Sequence, residues 1–366
     1  MRVGLVVDEL ARGGTERQFT LLAQALADAG VGVEVFVLKP IADAGRDQLE
    51  VLRSAGVRAI GGGAGAYPSW LRRFAPDVVQ VAMLRTSLLA AAYSLTPGAP
   101  PLVMSRRYLS SARQDSWLRT RATRAALRQA SAIIANSRLA AEDSSKVEGV
   151  PLERYTVIGN IIPESAFASV PPARIDTDLP VIVNVASLRP QKGHVHLVEA
   201  AALLADRGRP VTVLCLGDDE RWPETAAQVR RQVSEAGVDV RLLGDVADPR
   251  PYLAAADVVA QASVAEGLSN ALLEAMAAGR PIVATGVGGT ADVLLESGPD
   301  CGAAAAPAGL VVPPADAVAL AEAIGEMLTS PQRAAAFGEA ARRRARTHDA
   351  EAAVAAHLAL YRAVLG

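Results

Sequence analysis

Residues 181–193 read VIVNVASLRPQKG, in which the mostly apolar run VIVNVAS (181–187) leads through a proline-containing turn to a helix beginning near Gly193. A mostly apolar run of this length is typical of a strand buried on both faces of a parallel sheet. The same strand, turn and helix order returns along most of the chain. This alternation predicts an α/β protein with parallel sheets that are covered by helices on both faces.

Eleven apolar runs are predicted to be strands, and one break divides them. The break, PESAFASVPPARIDTDLP, has four prolines and no periodicity, so it reads as a linker. We predict a first domain over 1–165, a linker over 166–180, a second domain over 181–345 and a C-terminal helix over 346–366 that packs back on the first domain. The predicted strands are 2–7, 33–38, 77–83, 101–105, 131–136, 181–187, 211–217, 238–244, 256–263, 281–286 and 308–312.

Length and composition indicate a folded chain with two cores. The chain has 366 residues, of which 51% are hydrophobic and 21% charged. No apolar run approaches the ~18–20 residues of a membrane span, and the strand-like start leaves no room for a signal peptide. The two cysteines, Cys215 and Cys301, lack metal-type spacing, and Cys215 is expected to be a small buried residue. These features favour a reducing, cytoplasmic location.

The charge is distributed unevenly between the two halves. Residues 1–170 carry 20 Lys/Arg and 15 Asp/Glu, a net charge of +5, whereas residues 171–366 carry a net charge of −7. Oppositely charged halves are typical of two domains that face one another. They do not favour a nucleic-acid-binding protein.

Two turns that follow strands carry residues suited to an anion. Gly13 and Gly14 precede a helix and either expose backbone amides to a ligand or form an ordinary turn capped by Thr15; the pattern is neither a P-loop nor GxGxxG. Arg189 and Lys192 flank the turn after residue 187, where two cations could hold a diphosphate. Solvated turn cations are the alternative, but cations at a helix start oppose its dipole, which favours an anionic ligand.

The stretch EGLSNALLEAMAAGRPIVATGVGG (266–289) places two glutamates eight residues apart. Ser269 is predicted to cap a helix that ends at Gly279, so that Glu274 lies in its second turn. Glu266 could accept hydrogen bonds from hydroxyls, Glu274 could bind a ribose diol, and the amides of Leu268 to Asn270 could meet a phosphate. Taken alone, both glutamates could equally be ordinary helix-terminal or solvent-facing residues.

These motifs together resemble the family 4 retaining glycosyltransferases. The resemblance rests on SLRPQKG (187–193), EGLSNALLEAMAAGRPIVAT (266–285) and GVGG (286–289), and more loosely on GGTER (13–17), AIIANS (132–137) and VIGNII (157–162). It implies the GT-B fold, in which two Rossmann-like domains with parallel sheets face one another across a cleft. Such enzymes move a sugar from a nucleoside-diphosphate donor to a hydroxyl and keep the anomeric configuration.

The resemblance also implies roles for individual residues. Glu266 would contact donor-sugar hydroxyls, Glu274 the ribose, and Arg189 and Lys192 the diphosphate as it leaves, without a metal or other cofactor. The remaining donor-binding residues would be Gly13, Gly14, Ser187, Gly267, Leu268, Ser269 and Asn270. The variant EGLSN resembles bacterial polysaccharide and O-antigen transferases, which favours a UDP-sugar.

One departure concerns the acceptor domain. Many relatives carry a histidine after the strand that here reads DVVQVAMLR, whereas residues 1–170 contain no histidine. The sequence therefore excludes a histidine base in that domain. It leaves a front-face mechanism, in which the leaving phosphate accepts the proton of the acceptor hydroxyl.

The acceptor side is marked by arginines. Residues 106–128 hold seven arginines and one acidic residue, and Arg85, Arg106 and Arg107 follow strand ends, where they could line the acceptor site. We expect either an anionic acceptor such as a lipid-linked diphosphate sugar, contact with the anionic inner face of the cell membrane, or a solvated basic helix. Trp117 and Leu118 beside the arginines favour an interfacial helix.

Two other functions share this kind of fold. Nucleotide-sugar epimerases lack a Glu-x7-Glu element of this kind, so they fit less well. A non-catalytic subunit that binds a glycan or nucleotide is disfavoured by the intact set of Arg189, Lys192, Glu266 and Glu274, but the missing histidine keeps it as an alternative.

Overall fold

The structure is a computed structural model that describes residues 1–11, 13–41, 45–112, 116–295 and 307–366. Cys301 lies outside the described residues. The chain divides into two compact units, which we call unit 1 (Met1–Pro163 with His348–Gly366) and unit 2 (Glu164–Thr347). The sequence instead placed the boundaries after residues 165, 180 and 345.

Unit 1 contains a sheet of seven parallel strands with helices on both faces. The strands are β1 (Arg2–Val7), β2 (Gly32–Val37), β3 (Arg58–Gly61), β4 (Val78–Ala82), β5 (Leu102–Arg106), β6 (Ala132–Ala135) and β7 (Tyr155–Val157). The helices are α1 (Gly14–Asp28), α2 (Arg46–Ser54), α3 (Gly63–Phe74), α4 (Leu84–Ser94), α5 (Trp117–Gln129) and α6 (Arg138–Glu148). The strand order is β3-β2-β1-β4-β5-β6-β7.

Unit 2 contains a parallel sheet of six strands. The strands are β8 (Val181–Val185), β9 (Thr212–Leu216), β10 (Asp239–Gly244), β11 (Val258–Gln261), β12 (Ile282–Thr285) and β13 (Leu310–Val312), in the order β10-β9-β8-β11-β12-β13. The helices are α7 (His194–Asp206), α8 (Pro223–Ala236), α9 (Arg250–Ala255), α10 (Asn270–Ala277), α11 (Thr290–Leu294), α12 (Ala317–Thr329) and α13 (Pro331–Ala345). The last helix of the chain, α14 (Ala350–Leu365), belongs to unit 1.

Successive side chains of the strands point to opposite faces of the sheet and build the two cores of unit 1. Val3 and Leu5 of β1 pack with α1 and α14 on one face of the sheet, and Val6 packs with α3, α4 and α5 on the other. Because a parallel strand is covered on both faces, both sets of alternating side chains are apolar. This is the pattern that the continuous apolar runs predicted.

The strand order reverses at one place in each sheet, between β1 and β4 in unit 1 and between β8 and β11 in unit 2. Ligands of open parallel sheets bind beyond the carboxyl ends of the strands at such a reversal. In unit 2, Ile182 pairs with Val258 and Val183 with Val259, so the turns that follow β8 and β11 are neighbours. These two turns carry the predicted donor-binding motifs.

The C-terminal helix is bound to the first sheet by a buried polar contact. Helix α14 packs against α1, and the hydroxyl of Tyr361 donates to the side-chain oxygen of Gln80 on β4. The residues predicted as a linker are tied to unit 2 instead, since Ala173 N donates to Pro251 O (2.8 Å) and the Thr177 and Thr212 hydroxyls lie 2.7 Å apart.

Cys215 is confirmed as a buried residue of a strand. It is 1% exposed in β9, and burial raises the pKa of its thiol to about 12, so that it remains a neutral, weakly polar side chain.

The buried histidines are expected to make folding stability depend on pH. Burial is the main cause that lowers the pKa of His194 and His357 to about 4, below the ordinary value of 6.5. A lowered pKa means that the unfolded chain takes up protons first, so the stability that is present above pH 6.5 is lost as the pH falls toward 4. Between about pH 6.5 and about pH 5, each histidine should remove about 2 kcal/mol.

Urea unfolding at a series of pH values measures this dependence, with the transition of each unit followed separately. His194→Leu should flatten the pH dependence of unit 2 alone and leave that of unit 1 unchanged. An unaltered slope for unit 2 in this variant would contradict the assignment.

Candidate active site

The turn after β8 is fixed by its backbone contacts. Leu188 N donates to Asp218 O (2.9 Å), and Gln191 O accepts from Val264 N (2.8 Å). Gly193 adopts a φ of 67°, and a Cβ atom there would lie 2.0 Å from the carbonyl oxygen of Ala262. The turn therefore requires glycine at its end, and it presses against the segment that follows β11.

This packing brings Lys192 and Glu266 into contact. The ammonium of Lys192 donates to Oε1 of Glu266, and the two side chains are only 19% and 17% exposed. The hydroxyl of Ser263 lies 3.5 Å from the same carboxylate oxygen. This contact joins two motifs that the sequence indicated separately and that lie 74 residues apart.

The loop that carries Glu266 leads into α10 as predicted. The side chain of Ser269 caps the helix by accepting from Leu272 N (3.3 Å), and Glu274 lies in the second turn, partly buried. Gly288 adopts a φ of 54°, and a Cβ atom there would lie 2.2 Å from Gly267 O. The GVGG turn after β12 and the loop after β11 therefore pack backbone against backbone.

Arg189 is exposed and lies beside an aromatic ring that the sequence analysis did not select. Its guanidinium carbon is 5.5 Å from the ring centroid of Trp222, which occupies the N-cap position of α8. The signal available in the sequence was GDDERW (217–222), a polar segment directly after a predicted strand. A cation held over an aromatic face loses less orientational freedom when it binds an anion.

In unit 1, the predicted glycines form the start of α1. Gly13, not Thr15, is the N-cap residue, and a Cβ atom on Gly13 would lie 2.1 Å from the carboxylate of Glu16. The Thr15 cap was therefore wrong. A side chain at Gly13 would have to displace the carboxylate of Glu16, which folds back over the turn.

Of the three arginines predicted for the acceptor side, Arg106 is the most deeply buried. It is paired with Glu148, and it also donates to the hydroxyls of Tyr108 (3.0 Å) and Ser110 (2.9 Å). A buried ion pair with these additional hydrogen bonds favours a structural role for Arg106, although its buried Nε has no hydrogen-bond partner. The structure brings Arg106 into contact with these three groups of unit 1.

Arg107 and Arg85 have different surroundings. Arg107 donates to Oδ1 of Asn160 (2.5 Å), and burial lowers the pKa of its guanidinium to about 10. Arg85 is exposed at the start of α4, beside Asp8. Burial raises the pKa of Asp8, although hydrogen bonds from Thr86 and the charge of Arg85 oppose this shift. Asp8 was missed because a single aspartate after a strand carries no pattern.

The ground on which the sequence excluded a histidine in the first domain was wrong. His348 and His357 both belong to unit 1, because α14 returns to it. Burial lowers the pKa of each ring, and His357 Nδ1 is hydrogen-bonded to Ala353 O (2.8 Å). The ring of His357 is only 3% exposed, which does not favour a base that reaches a substrate.

Two sequence families match the chain, one for each half. The model of Glycosyltransferase Family 4 matches residues 12–165, and that of Glycosyl transferases group 1 matches residues 179–330. The chain belongs to glycosyltransferase family 4. Among curated members, it is 33% identical over 156 residues to 2-deoxystreptamine glucosyltransferase of Streptomyces kanamyceticus (42% of this chain, 37% of the relative).

A second curated relative is a GDP-mannose-dependent alpha-(1-6)-phosphatidylinositol monomannoside mannosyltransferase of Mycolicibacterium smegmatis. It is 34% identical over 176 residues, which are 45% of this chain and 43% of the relative. The chain thus aligns with less than half the length of these curated members of the family.

Solved structures of this fold match the whole chain. HepE of Anabaena in complex with UDP has a TM-score of 0.83 at 21% identity, covering 99% of this chain and 100% of that one. Sucrose-phosphate synthase of Thermosynechococcus elongatus has a TM-score of 0.79 at 22% identity, covering 100% and 99%. The family 4 chain therefore has the GT-B fold, with a parallel sheet of α/β type in each of its two units, as predicted.

Proposed function

We propose that this protein is a retaining glycosyltransferase that moves a sugar from a nucleoside-diphosphate sugar, with UDP-sugars preferred, to a hydroxyl of a glycan, glycolipid or lipid-linked acceptor. The observation that carries the proposal is the contact between Lys192 and Glu266 at the start of α10. It joins a cation suited to a phosphate and a carboxylate suited to sugar hydroxyls within one site.

The ion pair also suggests how the donor enters. A diphosphate competes with Glu266 for the ammonium of Lys192, and the donor-sugar hydroxyls then replace Lys192 as hydrogen-bond donors to Glu266. Because each charged group exchanges one partner for another, neither is left buried and unpaired. Arg189, supported by Trp222, supplies the second cation.

The rest of the donor follows from the position of α10. The amides at the helix start, from Leu268 to Asn270, would favour an anion, and Glu274, one turn further along, would accept hydrogen bonds from both ribose hydroxyls. Ser187 and Gly267 belong to the two turns that border this region. Two cations and helix amides neutralise the diphosphate, so we propose a reaction without a metal or other cofactor.

In the proposed reaction, the bond between the anomeric carbon and the diphosphate oxygen breaks as the acceptor oxygen bonds to the same face of the sugar. The acceptor proton passes to the departing phosphate. Lys192 and Arg189 stabilise the negative charge that develops on the leaving group. Electrostatic stabilisation of this kind is usually the largest single contribution to the rate enhancement of an enzyme.

Related proteins support a nucleoside-diphosphate sugar as the donor, but they do not agree on its nucleobase. HepE of Anabaena was solved with UDP and with UDP-glucose, whereas some curated relatives are named for GDP-mannose. We prefer UDP because the EGLSN variant resembles bacterial polysaccharide and O-antigen transferases, and a direct comparison of nucleotides tests this preference.

Calorimetric titration with UDP, GDP and ADP tests the donor site. We expect micromolar binding of UDP by the wild type, and a loss of about tenfold to a hundredfold in affinity for Glu274→Ala, because two charge-assisted hydrogen bonds are removed. Glu235→Ala, which removes an exposed glutamate from α8 of the same unit, is the matched control and should bind UDP normally.

Failure to bind any of the three nucleotides, in protein shown to be folded, would contradict the donor site. Binding of UDP without turnover of any sugar donor would favour the non-catalytic subunit instead.

A further inference from the structure

The first turns of three neighbouring helices form an exposed surface on unit 1. Helices α4, α5 and α6 each follow a strand of the parallel sheet, so all three begin at its carboxyl edge, and α5 packs against both α4 and α6. We call this surface the basic apolar edge, and we define it by six exposed or partly exposed residues. They are Arg85, Leu88, Trp117, Leu118, Arg121 and Leu139.

The apolar members of the edge are unusually open to solvent. Trp117 is 67% exposed and Leu118 61% exposed, while Leu88 and Leu139 are 38% and 39% exposed. The guanidinium of Arg121 lies 5.7 Å from the ring centroid of Trp117 and leaves the rest of the ring uncovered. Exposed apolar side chains near the starts of neighbouring helices indicate a surface that is covered in some functional state.

The two charged members of the edge, Arg85 and Arg121, are both positive, and Asp8 lies beside Arg85. Helix α5 has four arginines and no acidic residue, and the first turns of α4 and α6 contain no acidic residue either. The helices on the opposite face differ, because α1, α2 and α14 begin with Glu16, Asp47 and Glu351. Arginines at a helix start oppose the helix dipole, so helix stability does not explain them.

We propose that the basic apolar edge binds the surface of an anionic lipid bilayer. Arginines supply the attraction to lipid headgroups, and Trp117 and Leu118 insert at the boundary between headgroups and acyl chains, where tryptophan is favoured. A nucleic acid would use the arginines but would leave the three leucines, Leu88, Leu118 and Leu139, exposed to water. Among the residues that the structure describes, no helix is long and apolar enough to cross a membrane.

Vesicle co-sedimentation of the full chain tests the proposal. We expect binding to vesicles of equimolar phosphatidylcholine and phosphatidylglycerol, and little binding to pure phosphatidylcholine. Arg121→Glu should weaken binding by roughly tenfold or more, because it reverses one charge near the surface. Trp117→Ser combined with Leu118→Ser should weaken it by a similar factor, because the apolar anchors are lost.

Two control variants separate the edge from general effects of charge and exposure. Leu95→Ser changes a leucine that is as exposed as Trp117 (67%) but ends α4, at the opposite edge of the sheet. Arg72→Glu reverses an exposed charge at the end of α3. Both should bind vesicles like the wild type.

Three outcomes would overturn the proposal: equal binding to both kinds of vesicle, no binding to either, or equal losses in the control and edge variants. The proposal does not depend on sugar transfer, since vesicle binding is measured without a donor. If the proposed function also holds, an edge that contacts lipid would bring unit 1 to acceptors that are anchored in the membrane.

Discussion

Replacing Lys192 with alanine is expected to lower the rate of donor cleavage about a hundredfold to a thousandfold, with a much smaller effect on donor affinity. The physical reason is that the ammonium stabilises charge that develops on the leaving diphosphate, and this interaction strengthens as the bond breaks. The ammonium contacts Glu266, so it is held within the proposed site. The measurement is nucleotide release under saturating donor.

Lys146→Ala is the matched control for this experiment, because Lys146 is an exposed lysine on α6 of unit 1. It should retain the wild-type rate. If Lys192→Ala retained the wild-type rate as well, the proposed part of Lys192 in leaving-group departure would be wrong. A pure loss of donor affinity would instead limit its role to binding.

Replacing Gly193 with alanine is expected to destabilise unit 2 by about 2–5 kcal/mol. Two effects add here. The residue has a left-handed backbone conformation, and its new methyl group would meet the carbonyl oxygen of Ala262 at 2.0 Å. Relief of the clash has to move the turn away from β11, which separates Lys192 from Glu266, so donor cleavage should fall as well.

Gly208, just beyond the other end of α7, is the matched control for this prediction. It has a φ of 71°, close to the 67° of Gly193, but no atom lies within 4 Å of its hypothetical Cβ. Gly208→Ala should therefore show the backbone term alone, about 1–2 kcal/mol, and keep wild-type cleavage. Equal losses of unfolding free energy in the two variants would show that the contact with Ala262 is not decisive.

The strands that the sequence predicted best are those buried on both faces. β8 begins at the predicted residue 181, and its first four residues, Val181 to Asn184, are all buried. β3 and β7 were missed because they are short edge strands with partly exposed residues, so neither reads as an apolar run. A strand with one neighbour needs fewer apolar side chains.

Some features of the candidate site were predictable because they depend only on residues close together in the sequence. Ser269 caps α10 through a hydrogen bond to a residue three positions away. The contact of Lys192 with Glu266 was not predictable as a contact, because it depends on β8 and β11 being neighbours in the sheet. Sequence alone placed both residues at strand ends and left the strand order open.

The sequence pattern also could not show which of the two sheets α14 covers. Its amphipathic pattern predicts a helix, but the pattern is the same whichever sheet the helix covers. The hydrogen bond between Tyr361 and Gln80 fixes its place, and with it the positions of His348 and His357. Counting the histidines of residues 1–170 therefore missed two histidines that belong to unit 1.

The most direct test of the proposed function is donor cleavage by the purified full chain. Nucleotide release is followed over a panel of UDP-, GDP- and ADP-sugars, with a bacterial lipid extract as the source of acceptors, and the anomeric configuration of the product is read by proton NMR. We expect one class of donor, a UDP-sugar, to be cleaved with its α-configuration kept. Folded protein that cleaves no donor, or that yields the β-configured product, would contradict a retaining glycosyltransferase.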